Sequence, residues 1–452
     1  MQKYILAFFT LFTSTIVFSQ ETVEQTYSFT LEEAIQFALE NNYSAINANR
    51  DLIDARKQKW ETIAEGLPQV NGSVSYQNQL KQPVSLLPAE LAGGQPGEFI
   101  PVVFGQPQTM TATATLTQKI FDGSYIVGVQ ATKSFLSYSV NNEEKTDQEV
   151  RKSVVESYGN VLLAQESVAI FEKNKNNLEE NLFETEKLFE NGLGDEESVE
   201  QLQITLSSVD NQLKNAIRLE NITRQMLNLV LGIAIDAPTR LEENLDNLAV
   251  EQIDFQLMET DFNIENNVDY KIAINLTEQR FYELKLAKSR ALPTLNSFIN
   301  YGSSSFSDKF NFLGGDQDWF DSSVLGLDLN IPIFSSGKRS ASTARAKIAL
   351  AKAETQLSEA EEQIRLQLEK AKSDYILAIE EYNTAKENLR LAERIENKNQ
   401  IKYSEGLATS FELRQAQTQL YDAQQGYLQS MVEVINQKTT LELILNNPES
   451  KL

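Results

Sequence analysis

Cysteine and histidine are both absent from this chain of 452 residues. Without cysteine there is neither a disulfide framework nor a thiolate metal site. Without histidine the chain lacks the commonest general base and the commonest metal ligand. An enzyme would have to use carboxylates, lysines or tyrosines, and no cluster of these residues has its own structural context. We therefore expect neither catalysis nor a bound cofactor or metal.

Positive charge is also scarce, with 40 Lys and Arg against 64 Asp and Glu and a formal net charge of −24. Nucleic-acid binding needs a basic face, so this balance argues against a nucleic-acid partner. Long apolar runs are missing except over residues 5–18. That run follows Lys3, ends just before Ser19 and is too short to span a bilayer, which predicts a secretory signal peptide over residues 1–19.

Glycine and proline are absent from residues 338–405, a stretch of 68 residues. As a single helix this stretch would be roughly 100 Å long, far more than a globular domain uses. A heptad-spaced stripe of alanines and larger apolar residues runs along it, as in a coiled coil. Its members are Ile364, Leu368, Ala371, Tyr375, Ala378, Tyr382, Ala385, Leu389 and Ala392.

Immediately before this helix, residues 323–331 alternate between apolar and polar side chains. A period of two with one apolar face indicates a β-strand between two different environments. The apolar side chains, which we expect to face lipid, are Leu325, Leu327, Leu329 and Ile331.

The chain is an internal duplication. Short segments of the first half return in the second half at two constant offsets, of 225 and then 214 residues. Chance matches would not keep so constant an offset. The matching segments are Glu40-Asn41-Asn42 with Glu265-Asn266-Asn267, Leu67-Pro68 with Leu292-Pro293, and Glu190-Asn191-Gly192-Leu193 with Ser404-Glu405-Gly406-Leu407.

Each half is predicted to contain two strands, a long helix and a return helix. In the first repeat, residues 28–231, these elements lie at about 69–80, 108–120, 124–191 and 195–231. In the second repeat, residues 267–447, they lie at about 294–305, 320–332, 338–405 and 409–446. Residues 232–266 are expected to form a connector between the repeats, and the resemblance described below implies that it is equatorial, around the middle of the helices.

Two further segments precede the strands or link them. Thr30 and Glu33 have the spacing of a capping box, which opens a helix whose pattern continues to about Glu65. Residues 81–107 contain five prolines and four glycines, so we expect a turn-rich external loop there.

Strands of this length with one apolar face match those of an outer-membrane barrel. One chain supplies only four, and an open sheet edge in lipid leaves backbone groups unsatisfied. Several chains must therefore share one barrel, and three chains give twelve strands.

The segment from Tyr403 to Gln417, with its Gly-Leu turn, resembles the TolC-like outer-membrane efflux protein family, and the resemblance extends over about residues 28–447. It implies an α+β membrane protein: a homotrimer whose 12-stranded β-barrel in the outer membrane continues into a 12-helix α-barrel in the periplasm. It also implies a function, that of a passive export duct in a tripartite efflux or type I secretion system. Such a duct is coupled through a periplasmic adaptor (membrane fusion) protein to an inner-membrane transporter.

The resemblance also implies roles for the helix tips. Gly192-Leu193 and Gly406-Leu407 match turns that contact the adaptor, although a glycine also ends helices for conformational reasons alone. Glu412 falls on the first position of an acidic gate, while the second position holds the neutral Gln415. Thr409 and Glu412 also have the spacing of a capping box, which requires no gate.

An acidic mouth is expected around the first tip. Acids at a helix start complement the helix dipole, so part of this cluster has a structural explanation. Several copies around one opening would still create a negative potential that favours cations or a basic adaptor surface. The acids concerned are Asp195, Glu196, Glu197 and Glu200.

One alternative from another class stays open at this point. The same helices could form a trimeric coiled-coil structural or surface protein without a pore. Such a protein would be soluble after lysis and would not conduct ions.

Overall fold

The computed structural model describes residues 27–446, so the signal peptide expected over residues 1–19 lies outside the described residues. The chain forms two compact units. Within the described range, the first unit contains residues 27–43, 150–254 and 375–439. The second contains residues 44–149, 255–374 and 440–446. Each long helix contributes residues to both units.

The first half of the chain contains the following helices and strands: β1 (Tyr27–Phe29), α1 (Leu31–Asn41), α2 (Tyr43–Ala64), β2 (Gln69–Asn78), β3 (Val84–Pro88), β4 (Phe99–Val103), β5 (Gln108–Asp122), α3 (Gly123–Glu190) and α4 (Glu196–Leu231). A short 3₁₀ turn at Ala89–Ala92 lies between β3 and β4.

The connector and the second half continue with β6 (Thr239–Leu241), α5 (Leu245–Glu251), α6 (Val268–Ser289), β7 (Thr294–Ser307), β8 (Phe320–Asn330), α7 (Lys338–Ser404) and α8 (Ser410–Leu445). Two 3₁₀ turns, Gln256–Glu259 and Ile264–Asn266, precede α6.

Two segments differ from the sequence prediction. The helix expected from Thr30 to about Glu65 is broken at Asn42, whose extended backbone ends α1. The Asn42 side chain donates a hydrogen bond of 2.7 Å to the carbonyl of Val230 at the end of α4, which holds the break in place. In the expected external loop, β3 and β4 instead pair as an antiparallel hairpin. The sequence did not predict this hairpin because Pro88 and Pro101 lie within its strands, and proline is typical of turns and loops.

Local sequence explains how the predicted helices begin. Thr30 and Glu33 form the expected capping box at the start of α1. The carboxylate of Asp122 accepts hydrogen bonds of 2.8 and 3.2 Å from the amides of Ser124 and Tyr125, so β5 passes directly into α3. The heptad stripe of α7 is buried at seven of its nine positions, as a coiled-coil seam requires.

The duplication reappears as a repeated hydrogen bond. In the second unit the side chain of Asn267 donates to the carbonyl of Ile444 at 3.1 Å, as Asn42 does to Val230 in the first. The two donors are 225 residues apart and the two acceptors 214, the offsets found in the sequence. Each bond joins the start of a repeat to the end of its return helix.

The core of the first unit lies along the helices. Leu178, Leu202 and Val209 are buried where α3 meets α4. In the same unit the hydroxyl of Tyr375 is fully buried and bonded to the connector. It donates to the carbonyl of Gln252 at 2.7 Å and accepts from the amide of Asp254 at 2.9 Å. The connector is therefore joined to α7 through a satisfied, buried polar contact.

The second unit contains a four-stranded antiparallel sheet in the order β2-β5-β7-β8. The two hairpins of the duplication thus lie side by side, joined by the β5–β7 pairing. A bulge between Lys119 and Phe121 interrupts that pairing just before α3 begins. No helix in residues 27–446 is both long and apolar enough to cross a bilayer.

The buried Asn267 should be a measurable part of this fold. Its side chain also accepts hydrogen bonds from the amides of Asp269 and Tyr270 at the start of α6. Asn267→Ala removes this cap and the bond to Ile444, and should lower the free energy of unfolding by ~1–2 kcal/mol in denaturant titration in detergent. The control, Asn383→Ala on the exposed face of α7, should change it by less than ~0.5 kcal/mol. Equal stabilities of the two variants would contradict the assignment.

Candidate functional site

The strand register gives the sheet one apolar face. Residues directly opposite each other on neighbouring strands point to the same side of a sheet. Leu325 pairs with Ile299, Ile299 with Leu116, and Leu116 with Val70, so this row crosses all four strands. The apolar side chains of this face are Val70, Val74, Tyr76, Met110, Ala112, Ala114, Leu116, Leu295, Ile299, Tyr301, Leu325, Leu327 and Leu329.

The opposite face is mainly polar, and its side chains bond across the strands. The hydroxyls of Ser73 and Thr113 are 2.7 Å apart, and the amide of Asn300 donates to the hydroxyl of Thr115 at 3.1 Å. Asp328 also lies on this face, opposite Asn296. A sheet with one apolar and one polar face can separate hydrocarbon from water.

The expected lipid-facing residues therefore divide in two. Leu325, Leu327 and Leu329 lie on the apolar face of β8. Ile331 lies beyond the strand, which ends at Asn330 rather than at residue 332. Its side chain is exposed in the segment that leads to α7.

Both edges of the sheet are open in a single chain. Among the described strands, β2 pairs only with β5 and β8 only with β7. The outer edges of β2 and β8 therefore have backbone groups available to another strand. Because neighbouring strands alternate in direction, the two edge strands β2 and β8 run antiparallel to each other.

In the first unit, both helix tips end in the same turn. The amide of Leu193 donates to the carbonyl of Leu188, and that of Gly192 to Phe189, each at 2.9 Å. Gly192 has a φ of +72°, so the turn is a Schellman cap. Leu407 and Gly406 repeat this geometry at the end of α7, again with φ +72° at the glycine. The glycines are thus required by backbone conformation.

The backbone conformation of the caps requires the two glycines, but it does not require the leucines that follow them. A Schellman cap commonly buries the residue after its glycine against the last helical turn. Here Leu193 is 78% exposed and Leu407 is 73% exposed. Between the turns, the hydroxyl of Ser198 donates to that of Ser410 at 3.1 Å, and Thr185 and Tyr403 share a hydrogen bond of 2.9 Å. The tip pair is held by polar bonds while its leucines remain available to a partner.

Glu412 forms the capping box that its spacing predicts. Its carboxylate accepts from the amide of Thr409 at 2.8 Å, and the hydroxyl of Thr409 accepts from the amide of Glu412 at 3.2 Å. The hydrogen bond from the Thr409 amide lowers the pKa of Glu412 below its ordinary value. Gln415 lies one turn further along α8 and is also exposed.

The four acids of the expected mouth are all exposed at the start of α4. Asp195 is the N-cap, accepting from the amide of Ser198 at 2.8 Å. Glu196 and Glu197 occupy the first turn, where a carboxylate complements the helix dipole. Within the described part of the chain, no group of three or more carboxylates could hold a metal ion.

Two hydrogen-bonded pairs of side-chain amides, each with a buried asparagine, were not predicted from the sequence. The side chain of Asn174 donates to Gln424 at 3.0 Å, and that of Asn181 donates to Gln400 at 3.2 Å. Both asparagines are nearly fully buried, at 3% and 6% exposed. They are seven residues apart on α3, so a polar residue repeating at the heptad spacing was the available signal. These bonds fix how α3 packs on α7 and α8 within the first unit.

The comparison with protein families decides the identity. The family model described as "Outer membrane efflux protein" matches residues 34–232 and 264–447. The chain belongs to the outer membrane efflux protein family. The resemblance found in the sequence is thereby confirmed, and the reading as a coiled-coil protein without a pore finds no support. The family consists of channels rather than enzymes.

Solved structures of outer membrane channels share this fold. VceC from Vibrio cholerae superimposes with a TM-score of 0.71 at 16% identity, over 92% of this chain and 96% of that one. CmeC from Campylobacter jejuni gives 0.71 at 17% identity, over 92% and 85%. The open state of MtrE from Neisseria gonorrhoeae gives 0.67 at 17% identity, over 92% and 89%. No curated protein matches the chain.

Membership of the outer membrane efflux protein family places the protein in the outer membrane as an efflux channel, with its helical part in the periplasm. The long helices follow the strands closely along the chain, since β5 leads straight into α3 and seven residues separate β8 from α7. The apolar face of the sheet is then the side that can meet lipid.

The two faces should respond differently to the same substitution. Leu327→Lys places a charge on the apolar face of β8 and should destabilise the membrane-inserted protein by ~2–4 kcal/mol if it lies near the bilayer midplane. Asp328→Lys, one residue on, places the same side chain on the polar face, and should fold normally while changing ion conductance. Folding yield into vesicles and single-channel recording measure the two effects. Equal tolerance at both positions would overturn the two-sided assignment.

Proposed function

We propose that the protein is a homotrimer whose three sheets close into one 12-stranded β-barrel, forming the outer-membrane channel-tunnel of a tripartite efflux or type I secretion system. The supporting observation is the two-faced sheet with two open edges that continues into the helices. The helices of the three copies would form the 12-helix α-barrel in the periplasm.

The number of copies follows from barrel size. Each copy adds four strands. Unpaired backbone groups at a strand edge cost free energy in hydrocarbon, so the strands of all copies must close into one barrel. Two copies would give eight strands, a barrel that side chains nearly fill. Three copies are the smallest number that leaves room for an aqueous path. The polar face, which contains Thr113, Thr115 and Asp328, would line that path.

The helix tips are the proposed contact with a periplasmic adaptor protein, which would couple the duct to an inner-membrane transporter. Gly192 and Gly406 shape the turns, and Leu193 and Leu407 supply exposed apolar side chains. The acids at 195–197 and Glu200 would give the mouth a negative potential and favour a basic adaptor surface or cationic cargo.

The trimer is tested by purifying the protein in mild detergent. Native mass spectrometry should show three chains in one complex, and the same preparation should raise the conductance of a planar bilayer. A preparation heated until the oligomer dissociates is the control and should not conduct. A stable, conducting monomer would refute the shared barrel.

We also propose that Glu412, with Gln415 one turn further on, lies at a gate near the tip. Three Glu412 carboxylates converging on one axis would repel each other unless hydrated or bridged by a cation. The capping box does not conflict with this role, because the capped side chain is exposed.

Glu412→Ala separates the two roles. Loss of the cap should lower the melting temperature, whereas loss of a gate should raise single-channel conductance and weaken block by divalent cations. Gln415→Ala changes the second gate position but leaves the capping box in place, so it should not lower the melting temperature. A lowered melting temperature with unchanged conductance and unchanged block would mean that Glu412 is only a cap.

The capping effect has a defined pH dependence. Because the folded-state pKa of Glu412 is lowered, its carboxylate stabilises the fold above the ordinary value of 4.5, and this stabilisation is lost as the pH falls through the lowered pKa. The difference in melting temperature between the native protein and Glu412→Ala should therefore shrink in acid.

A further inference from the structure

Positive charge is concentrated in one zone of this acidic chain. We define the basic zone as the four segments at the inner ends of the strands, which are the ends that join the helices: residues 54–68, 119–133, 279–293 and 331–348. These segments contain 13 of the 40 Lys and Arg of the chain but only 5 of its 64 Asp and Glu. Their net charge is therefore +8 in a chain of net charge −24. All four lie in the second unit.

Most of these cations point into solvent in the single chain. Only two salt bridges with carboxylates of the zone occur among the described residues, Lys119 with Glu65 at 3.7 Å and Arg280 with Glu283 at 2.8 Å. Eight exposed cations of the zone make no salt bridge within residues 27–446: Arg56, Lys57, Lys133, Lys288, Arg290, Lys338, Arg345 and Lys347.

A second, independent feature of the zone is its exposed apolar side chains. Ile333 is 88% exposed and Phe334 85% exposed, directly before the cations at the start of α7. Trp60 is exposed beside Lys57 and Lys59, and Ile120 is exposed at the foot of β5. Aromatic and apolar side chains next to Lys and Arg are typical of the depth where hydrocarbon gives way to head groups.

The zone also adjoins the apolar face of the sheet. Leu295 and Leu329 are opposite each other at the inner end of β7 and β8. Both strands are close to a helix at this end: four residues separate α6 from β7, and seven residues separate β8 from α7. The order along the chain is thus hydrocarbon-facing strand, exposed apolar side chains, then unpaired cations.

We propose that the basic zone binds the anionic head groups of phospholipids in the inner leaflet of the outer membrane. Lys and Arg near an anionic lipid surface gain electrostatic free energy that zwitterionic lipids do not offer. A soluble polyanion or an acidic protein would need the cations but not the adjoining apolar side chains. The rest of the chain has a net charge of −24 − 8 = −32, so the basic zone is the part of the chain that favours contact with anionic lipid. The inference relies on the membrane placement of the sheet, and not on the trimer or the adaptor.

The test uses the full-length protein in neutral detergent, with phosphatidylglycerol and phosphatidylcholine of identical acyl chains added in equal amounts. Native mass spectrometry counts the lipids that remain bound. The native protein should retain phosphatidylglycerol at least about fivefold over phosphatidylcholine, and 0.5 M salt should reduce this preference. Glycerol phosphate, the soluble head-group fragment, should not compete at equal concentration.

A matched pair of triple variants locates the effect. Lys338→Gln/Arg345→Gln/Lys347→Gln removes three cations of the zone and should lower the preference at least threefold. Arg394→Gln/Lys398→Gln/Lys402→Gln removes three exposed cations near the other end of the same helix, α7, and should leave it unchanged. Arg339 is kept, because its guanidinium donates to the carbonyls of Pro332 and Ile333 and shapes the turn.

Three outcomes would overturn the proposal: no preference in the native protein, an equal loss in both variants, or full competition by glycerol phosphate. The native protein alone gives the first and third readings, so a variant that fails to fold does not prevent the test. The same spectra report the number of chains. A trimer without lipid preference would refute this inference and leave the proposed trimer intact. A monomer that prefers phosphatidylglycerol would refute the trimer and support this inference.

Discussion

A strand in hydrocarbon must find hydrogen-bond partners for its backbone amides and carbonyls within the protein. Water is absent there, so every strand must pair on both sides. Within one chain β5 and β7 satisfy this condition and β2 and β8 do not. In the proposed trimer these open edges would pair between copies, and the duplication would halve the number of copies needed to close the sheet. The apolar and polar faces suit the same arrangement, because a closed sheet would separate lipid from an aqueous interior.

Charge is distributed to suit the surroundings of each part. Exposed acids dominate the start of α4 in the first unit, and cations dominate the helix ends next to the strands in the second. Composition alone conceals this, since a chain of net charge −24 suggests repulsion from any anionic surface. The distinction matters because electrostatic attraction acts over roughly one Debye length, about 8–10 Å at physiological salt. A local excess of cations can therefore act independently of the total.

Several candidate functional residues have a complete local explanation. Gly192 and Gly406 are in the left-handed conformation that ends their helices, and Glu412 completes a capping box. Such roles stabilise the tips whether or not anything binds there. What distinguishes a possible contact is exposure beyond the needs of the cap, which Leu193 and Leu407 have.

Local patterns in the sequence predicted most of the helices and strands and the two faces of β8, but they missed the β3–β4 hairpin. Alternation along residues 323–331 predicted a two-faced strand, the heptads of α7 predicted a buried seam, and Gly-Leu repeats marked the tips. These signals are local, since periodicity reports which sides of an element meet apolar or polar surroundings. Which strands, helices and side chains pair with each other is visible in the three-dimensional structure and not in these patterns. Three examples join groups that are far apart in the chain: the β5–β7 pairing, the Asn181–Gln400 bond and the bond from Asn42 to Val230 at the helix break. Periodicity reports the surroundings of one element and contains no information on which distant group accepts a hydrogen bond from a given donor, because those partners meet only when the chain folds.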